Sequence, residues 1–232
     1  AAPVRLSVPV HDPALLFAQL LRRALERNGI QVLGRATARH TPGPPAPVEL
    51  AHLESPTLAE IVSRTLKHSD NLGAQLLLLQ VGAQQAAGDT EQRGLEALGR
   101  FLAGNGVAAG EVLFEEGSGM SRKNLTTAAA LVDLLRAMDR GPDAAVFLAA
   151  LPVAGVDGTL ARRMLGSAAH GNLRAKTGTM RYNQSLAGYV TSAAGERLAF
   201  ALILNNYRAD PAAGSRPELD PVAVLLAEYQ GR

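Results

Sequence analysis

From about Leu173 the chain stops reading as helix and starts reading as sheet, and that switch constrains its fold more than any other feature. Before it, apolar residues recur at helical spacing. After it, "LRAKTGT", "SLAGYVTS" and "RLAFALILNN" are short runs of strand character, the last two separated by a hairpin-length "AAGE". A final helix, "PVAVLLAEYQ", follows. Helices first, then an antiparallel sheet and a closing helix, predict a mixed α/β layered domain with a helical cluster packed on the sheet.

Upstream, residues 12 to 28 predict a helix capped by Asp12, with Pro13 in its first turn and Gly29 at its end. "IQVLGRATAR" and "VELAHL" read as strands, separated by a proline-rich loop, "HTPGPPAP". "SPTLAEIVSRTLK" has helical spacing, with Thr57 and Glu60 placed as a capping box. The polar "HSDN" then breaks the pattern before a second apolar helix from about Leu72 to Ala86. Further helices are expected at about 90 to 103, 126 to 139, 143 to 150 and 159 to 165, with the glycine-rich loop "EEGSGMSRKN" between the first two.

The 232 residues, 47% of them hydrophobic, suffice to bury a substantial core. The arginines are scattered and the net charge is only +2, so neither a nucleic-acid footprint nor a polybasic membrane patch is supported. No cysteine is present, and the five histidines lie far apart without ligand spacing, so no metal and no cofactor are expected. No apolar run reaches the length of a membrane span. The start, "AAPVRLSVPV", has neither an initiator methionine nor the regions of a signal peptide, as a processed or truncated chain would.

Only Lys67, Lys123 and Lys176 are lysines, and one of them opens the tetrad Lys176-Thr177-Gly178-Thr179. On a strand Thr177 and Thr179 share one face, where two hydroxyls can meet one carboxylate, and Gly178 lets a ligand backbone approach closely. Lys176 adds a compact positive charge beside them. Such a tetrad arises by chance in roughly one chain in a hundred of this size. Ser69-Asp70-Asn71 alone reads equally well as a helix N-cap. The two motifs together, one at a helix joint and one on a strand, form the signature shared by penicillin-binding proteins and serine β-lactamases.

The chain resembles the class C low-molecular-mass penicillin-binding proteins, the D-alanyl-D-alanine carboxypeptidases and endopeptidases of the bacterial periplasm or cell surface. The likeness extends through "LKHSDNLGAQLLLLQVG", "GSGMSRKNLTTAAALVDLL", "LPVAGVDGTLARRM" and "RAKTGTMRYNQSLAGYV", most of residues 50 to 206. Glu116 departs from the pattern, standing where an aspartate is expected before Gly-Ser-Gly. The resemblance implies a transpeptidase-like domain, incomplete at its N-terminus, over residues 51 to 232, with residues 1 to 50 a remnant of a preceding or inserted region. Its implied substrate is a peptidoglycan stem peptide ending in D-Ala-D-Ala, and its implied covalent inhibitors are β-lactams.

By the same resemblance Ser69 relays a proton toward the leaving amine and Asn71 binds the acyl-side amide. Lys176 supplies positive potential and contacts Ser69. Thr177, Gly178 and Thr179 hold the terminal carboxylate, and the Thr179 N–H forms half of an oxyanion hole. The family's nucleophilic serine lies on an S-x-x-K motif, and this chain has none: the positions three before its lysines hold Arg64, Met120 and Leu173. The chain is therefore expected to be the C-terminal portion of a longer enzyme, inactive alone. Its last strand is expected to present an open, apolar edge that promotes self-association. Two other readings stay open: a pseudoenzyme that binds peptidoglycan peptides, and a class A β-lactamase.

Overall fold

The computed structural model describes residues 8–39, 41, 48–84, 88–208 and 218–231. They fall into two compact units, Ala1–Glu54 and Ser55–Arg232.

In the first unit the expected helix forms as α1 (Pro13–Arg27), its first turn closed by the Leu15 N–H on Asp12 Oδ1 at 2.9 Å. An Arg22–Glu26 ion pair of 2.7 Å supports its last turns, and Gly29 turns the chain away with φ +80°. Residues 30 to 39 and 48 to 53 were expected as strands but join no ladder. Extended backbone becomes a strand only when a neighbour accepts its hydrogen bonds, and no such neighbour exists among the unit's described residues. Apart from Thr41, "HTPGPPAP" lies outside the described residues.

The second unit opens with α2 (Leu58–His68) and the capping box legible in its sequence: the Glu60 N–H bonds Thr57 Oγ1 at 3.3 Å while the Thr57 N–H bonds Glu60 Oε2 at 2.9 Å. Helix α3 (Asn71–Ala83) follows, the expected end at Ala86 lying outside the described residues, and packs on α4 (Thr90–Gly104). The two backbones meet so closely at Gly82 that a Cβ there would run into the Thr90 carbonyl. A two-stranded ribbon that the sequence did not suggest, β1 (Val112–Leu113) with β2 (Leu125–Thr126), pinches off the glycine-rich loop. Then come α5 (Ala128–Arg140) and α6 (Ala144–Ala150).

The helix expected over 159 to 165 shrinks to one 3₁₀ turn, Gly158–Leu160. Left-handed backbone at Met164 (φ 55°) and Gly166 (φ 69°) breaks any continuation. The switch near Leu173 is real: β3 (Arg174–Met180), β4 (Asn183–Thr191) and β5 (Arg197–Asn205) form an antiparallel meander in that order. Helix α7 (Asp220–Glu228) closes the chain.

Strand alternation gives the sheet two covered faces. One carries Ala175, Leu186, Val190 and Phe200 onto Leu160, Leu219, Ala223 and Ala227. The other carries Ala187, Tyr189 and Ala199 onto Leu66, Leu135, Phe147 and Leu151, and the Tyr189 hydroxyl donates to the Leu135 carbonyl at 2.6 Å. The sheet is thus a middle layer, with α2, α5 and α6 on the face toward which Lys176 projects. Among the described residues β5 pairs with β4 alone.

Candidate active site

Each member of the polar triplet between α2 and α3 has its own task. Ser69 ends α2 in the left-handed region (φ 56°, ψ 50°), its N–H on the Thr65 carbonyl. Asp70 caps α3, its Oδ1 accepting the Gly73 N–H at 3.1 Å. Asn71 is the first residue of α3. Because Asp70 alone satisfies the helix start, the side chains of Ser69 and Asn71 are released into a cleft of about 740 Å³.

Strand β3 forms the facing wall. Lys176 pairs with Ala187, Thr177 with Leu186, Gly178 with Ser185 and Thr179 with Gln184. The Ala175 N–H points away from β4, donating to the Pro152 carbonyl at 2.9 Å. Residues two and four further on share that direction, so the backbone groups of Thr177 and Thr179 face the sheet's free edge, which is the cleft. Their side chains share one face, as the period of two requires, opposite to that of Lys176. The Thr177 hydroxyl lies 2.9 Å from that of Thr159 on the 3₁₀ turn. Gly178 has a packing reason the sequence did not reveal: a Cβ there would run into the Ser185 hydroxyl of β4.

The two motifs, 107 residues apart, meet in one bond: Lys176 Nζ donates to Ser69 Oγ at 2.8 Å, and also to the Thr177 carbonyl at 2.7 Å. Burial pushes the Lys176 ammonium below the ordinary lysine range, because water no longer solvates its charge fully.

The glycine-rich loop supplies the third wall. Asn71 Nδ2 donates to the Ser118 carbonyl at 2.7 Å, tying α3 to the loop. Ser118, Ser121, Arg122 and Asn124 line the cleft beside it. Glu116 shapes the loop from within: it accepts from the Ser118 N–H, from the Ser121 N–H at 3.1 Å and from Asn124 Nδ2 at 2.6 Å. Partial burial works against its charge, but these donors win and hold its carboxyl down at about 2. The Ser121 hydroxyl and Lys123 Nζ both turn to Glu115, while Ser121 Oγ accepts the Lys123 backbone N–H at 3.2 Å.

All six residues singled out from the sequence, Ser69, Asn71, Lys176, Thr177, Gly178 and Thr179, therefore line one cleft. Thr159 and Ser118 were not singled out. Their involvement depends on contacts spanning 18 and 47 residues, which leave no local mark.

The sequence matches the D-Ala-D-Ala carboxypeptidase 3 (S13) family over residues 1–229. It is 41% identical to a D-alanyl-D-alanine carboxypeptidase of Actinomadura sp. strain R39 over 237 aligned positions, covering 100% of this chain and 43% of that protein. The D-alanyl-D-alanine carboxypeptidase DacB of Haemophilus influenzae is 29% identical, with 88% of this chain and 43% of that one covered. The chain thus spans less than half the length of these curated relatives. A crystal structure of penicillin-binding protein 4 from Haemophilus influenzae, in complex with a β-lactam, superposes with a TM-score of 0.79 at 29% identity, covering 96% of this chain and 51% of that one. The match reaches into the first fifty residues, where the sequence alone suggested no likeness. The chain belongs to the D-Ala-D-Ala carboxypeptidase 3 (S13) family, the class C low-molecular-mass penicillin-binding proteins.

Proposed function

We propose that this chain supplies the carboxylate-binding and proton-relay side of a serine-type D-alanyl-D-alanine carboxypeptidase or endopeptidase, acting on peptidoglycan stem peptides in the periplasm or at the cell surface and acylated by penicillin. The observation that carries the reading is the 2.8 Å bond from Lys176 Nζ to Ser69 Oγ, which joins the S-D-N and K-T-G-T motifs across one cleft. The family match supports the substrate class.

In this reading the terminal carboxylate of D-alanine lies along the free edge of β3, held by the hydroxyls of Thr177 and Thr179, while Lys176 adds positive potential from the strand's other face. The Thr179 N–H, facing the free edge, donates to the scissile carbonyl oxygen as negative charge develops there. Ser69 Oγ accepts from Lys176, which leaves its own O–H to donate to the departing amine. Asn71 has its Nδ2 engaged by Ser118, so its Oδ1 is free to accept the N–H of the acyl-side amide.

The attacking serine and its base are absent, since none of the three lysines completes an S-x-x-K. Removing a nucleophile costs on the order of a millionfold in rate. The chain alone therefore forms no acyl-enzyme. Intact-mass spectrometry after incubation with benzylpenicillin is expected to show unmodified protein, and a stable covalent adduct would refute the assignment.

The same absence favours a second reading, a pseudoenzyme that binds D-Ala-D-Ala peptides without cleaving them. An S-x-x-K encoded upstream of Ala1 would decide for the enzyme, and a start codon or signal peptide directly before Ala1 for the binding module.

A further inference from the structure

We propose that Lys67 and Asp157 are positioning residues: their ion pair is a brace, behind the cleft wall, that sets the separation of Ser69 and Lys176. The inference rests on the reading of that cleft as the D-Ala-D-Ala site. Neither residue lines the cleft, so any influence on it passes through others.

Lys67 lies in the last turn of α2, two residues before Ser69. Its Nζ donates to Asp157 Oδ2 at 2.7 Å and to the Leu151 carbonyl at 2.9 Å. The other carboxylate oxygen, Asp157 Oδ1, accepts the Val153 N–H at 2.8 Å. Val153 in turn bridges to Arg174, and the neighbouring Pro152 carbonyl takes the Ala175 N–H at 2.9 Å. Ala175 immediately precedes Lys176. A closed circuit therefore runs from Ser69 back to Lys67, across to Asp157, through residues 152 and 153 to β3, and from Lys176 Nζ back to Ser69.

The turn beside Asp157 touches both walls. Gly158 has φ +57°, and a Cβ there would sit 2.7 Å from the Lys67 carbonyl, a backbone atom that cannot swing aside. The next residue, Thr159, holds the Thr177 hydroxyl. The pair is partly screened from water, with the Lys67 side chain 20% and the Asp157 side chain 38% exposed, and both Asp157 oxygens are engaged. Burial opposes the Asp157 charge, but the bond from Lys67 and the Val153 N–H pull its carboxyl below the ordinary range, so the carboxylate stays ionised at neutral pH.

A purely stabilising role and a positioning role differ in what they do to Lys176. Ser69 sits at a strained joint and meets Lys176 in a single bond; releasing the brace lets the walls part and water reach the Lys176 ammonium. The chain has three lysines, so ¹³Cε-lysine labelling yields three signals, Lys67, Lys123 and Lys176, assignable by single Lys→Arg replacements. In Asp157→Asn the Lys176 titration is expected to move up toward the ordinary lysine range. In Lys67→Arg, which keeps the pair, it is expected to stay where it is in the unsubstituted chain, and Lys123 serves as the unmoved reference. Lys67→Gln repeats the test if Asp157→Asn does not fold.

A lowered urea midpoint with the Lys176 titration unmoved would overturn the proposal and leave the pair a structural one. The same samples, titrated with a peptide ending in D-Ala-D-Ala, are expected to bind about tenfold more weakly in Asp157→Asn, within the range for coupled neighbours. Failure of the unsubstituted chain to bind the peptide would refute the functional reading alone, because the lysine titration needs no ligand.

Discussion

Replacing Glu116 by glutamine tests whether one carboxylate organises the loop that forms the third wall of the cleft. Its folded value of about 2, against an ordinary 4.5, corresponds to about 3.4 kcal/mol of pH-linked stability at 1.36 kcal/mol per pH unit. Glu116 is partly exposed, and screening by solvent reduces this to about 2 kcal/mol. Because folding depresses the value, the contribution is fully present above pH 4.5 and is lost as the pH falls toward 2. Glutamine keeps the shape but not the charge, and it presents an amide N–H₂ toward groups that are themselves donors. Urea unfolding of both proteins at pH 7 and pH 3 is the assay. The variant is expected to be less stable by about 2 kcal/mol at pH 7, with more than half of the gap closed at pH 3. Other carboxylates titrate in both proteins and cancel in the difference. A gap of equal size at the two pH values would refute the reasoning, since the loss would then not arise from the charge.

Thr57→Ala removes the side-chain half of the α2 capping box and is expected to cost about 1 kcal/mol in the same unfolding assay; no loss would show that Glu60 holds the helix start by itself. The outer edge of β5, unpaired among the described residues, is expected to drive self-association, seen as concentration-dependent mass in light scattering. A monomer at all concentrations, together with full hydrogen-exchange protection of residues 197–205, would count against it.

What the sequence made legible was local. The Thr57–Glu60 box, the hairpin turn ending at Glu196 and the run of three strands each declare themselves within a few residues. Residues 30–39 and 48–53 have strand-like composition, but a strand also needs a partner, and composition does not report one. The β1–β2 ribbon is two residues long on each side, too short for any period to show. The site followed the same rule. Lys176, Thr177 and Thr179 stood out because they are close neighbours, whereas Thr159 acquires its place only when the 3₁₀ turn meets β3. Gly178 was read as room for a ligand, and its nearest constraint proves to be the hydroxyl of Ser185 on the next strand.

The left-handed backbone at Ser69 sets stability and chemistry against each other at a single codon. A non-glycine residue in that region is disfavoured by about 1–2 kcal/mol, and glycine would relieve the strain. A screen that rewards thermal tolerance alone would therefore drift toward glycine at position 69 and discard the hydroxyl that meets Lys176. Persistence of serine through such a screen would show that its contacts, the bond to Lys176 among them, stabilise the fold by more than the strain costs.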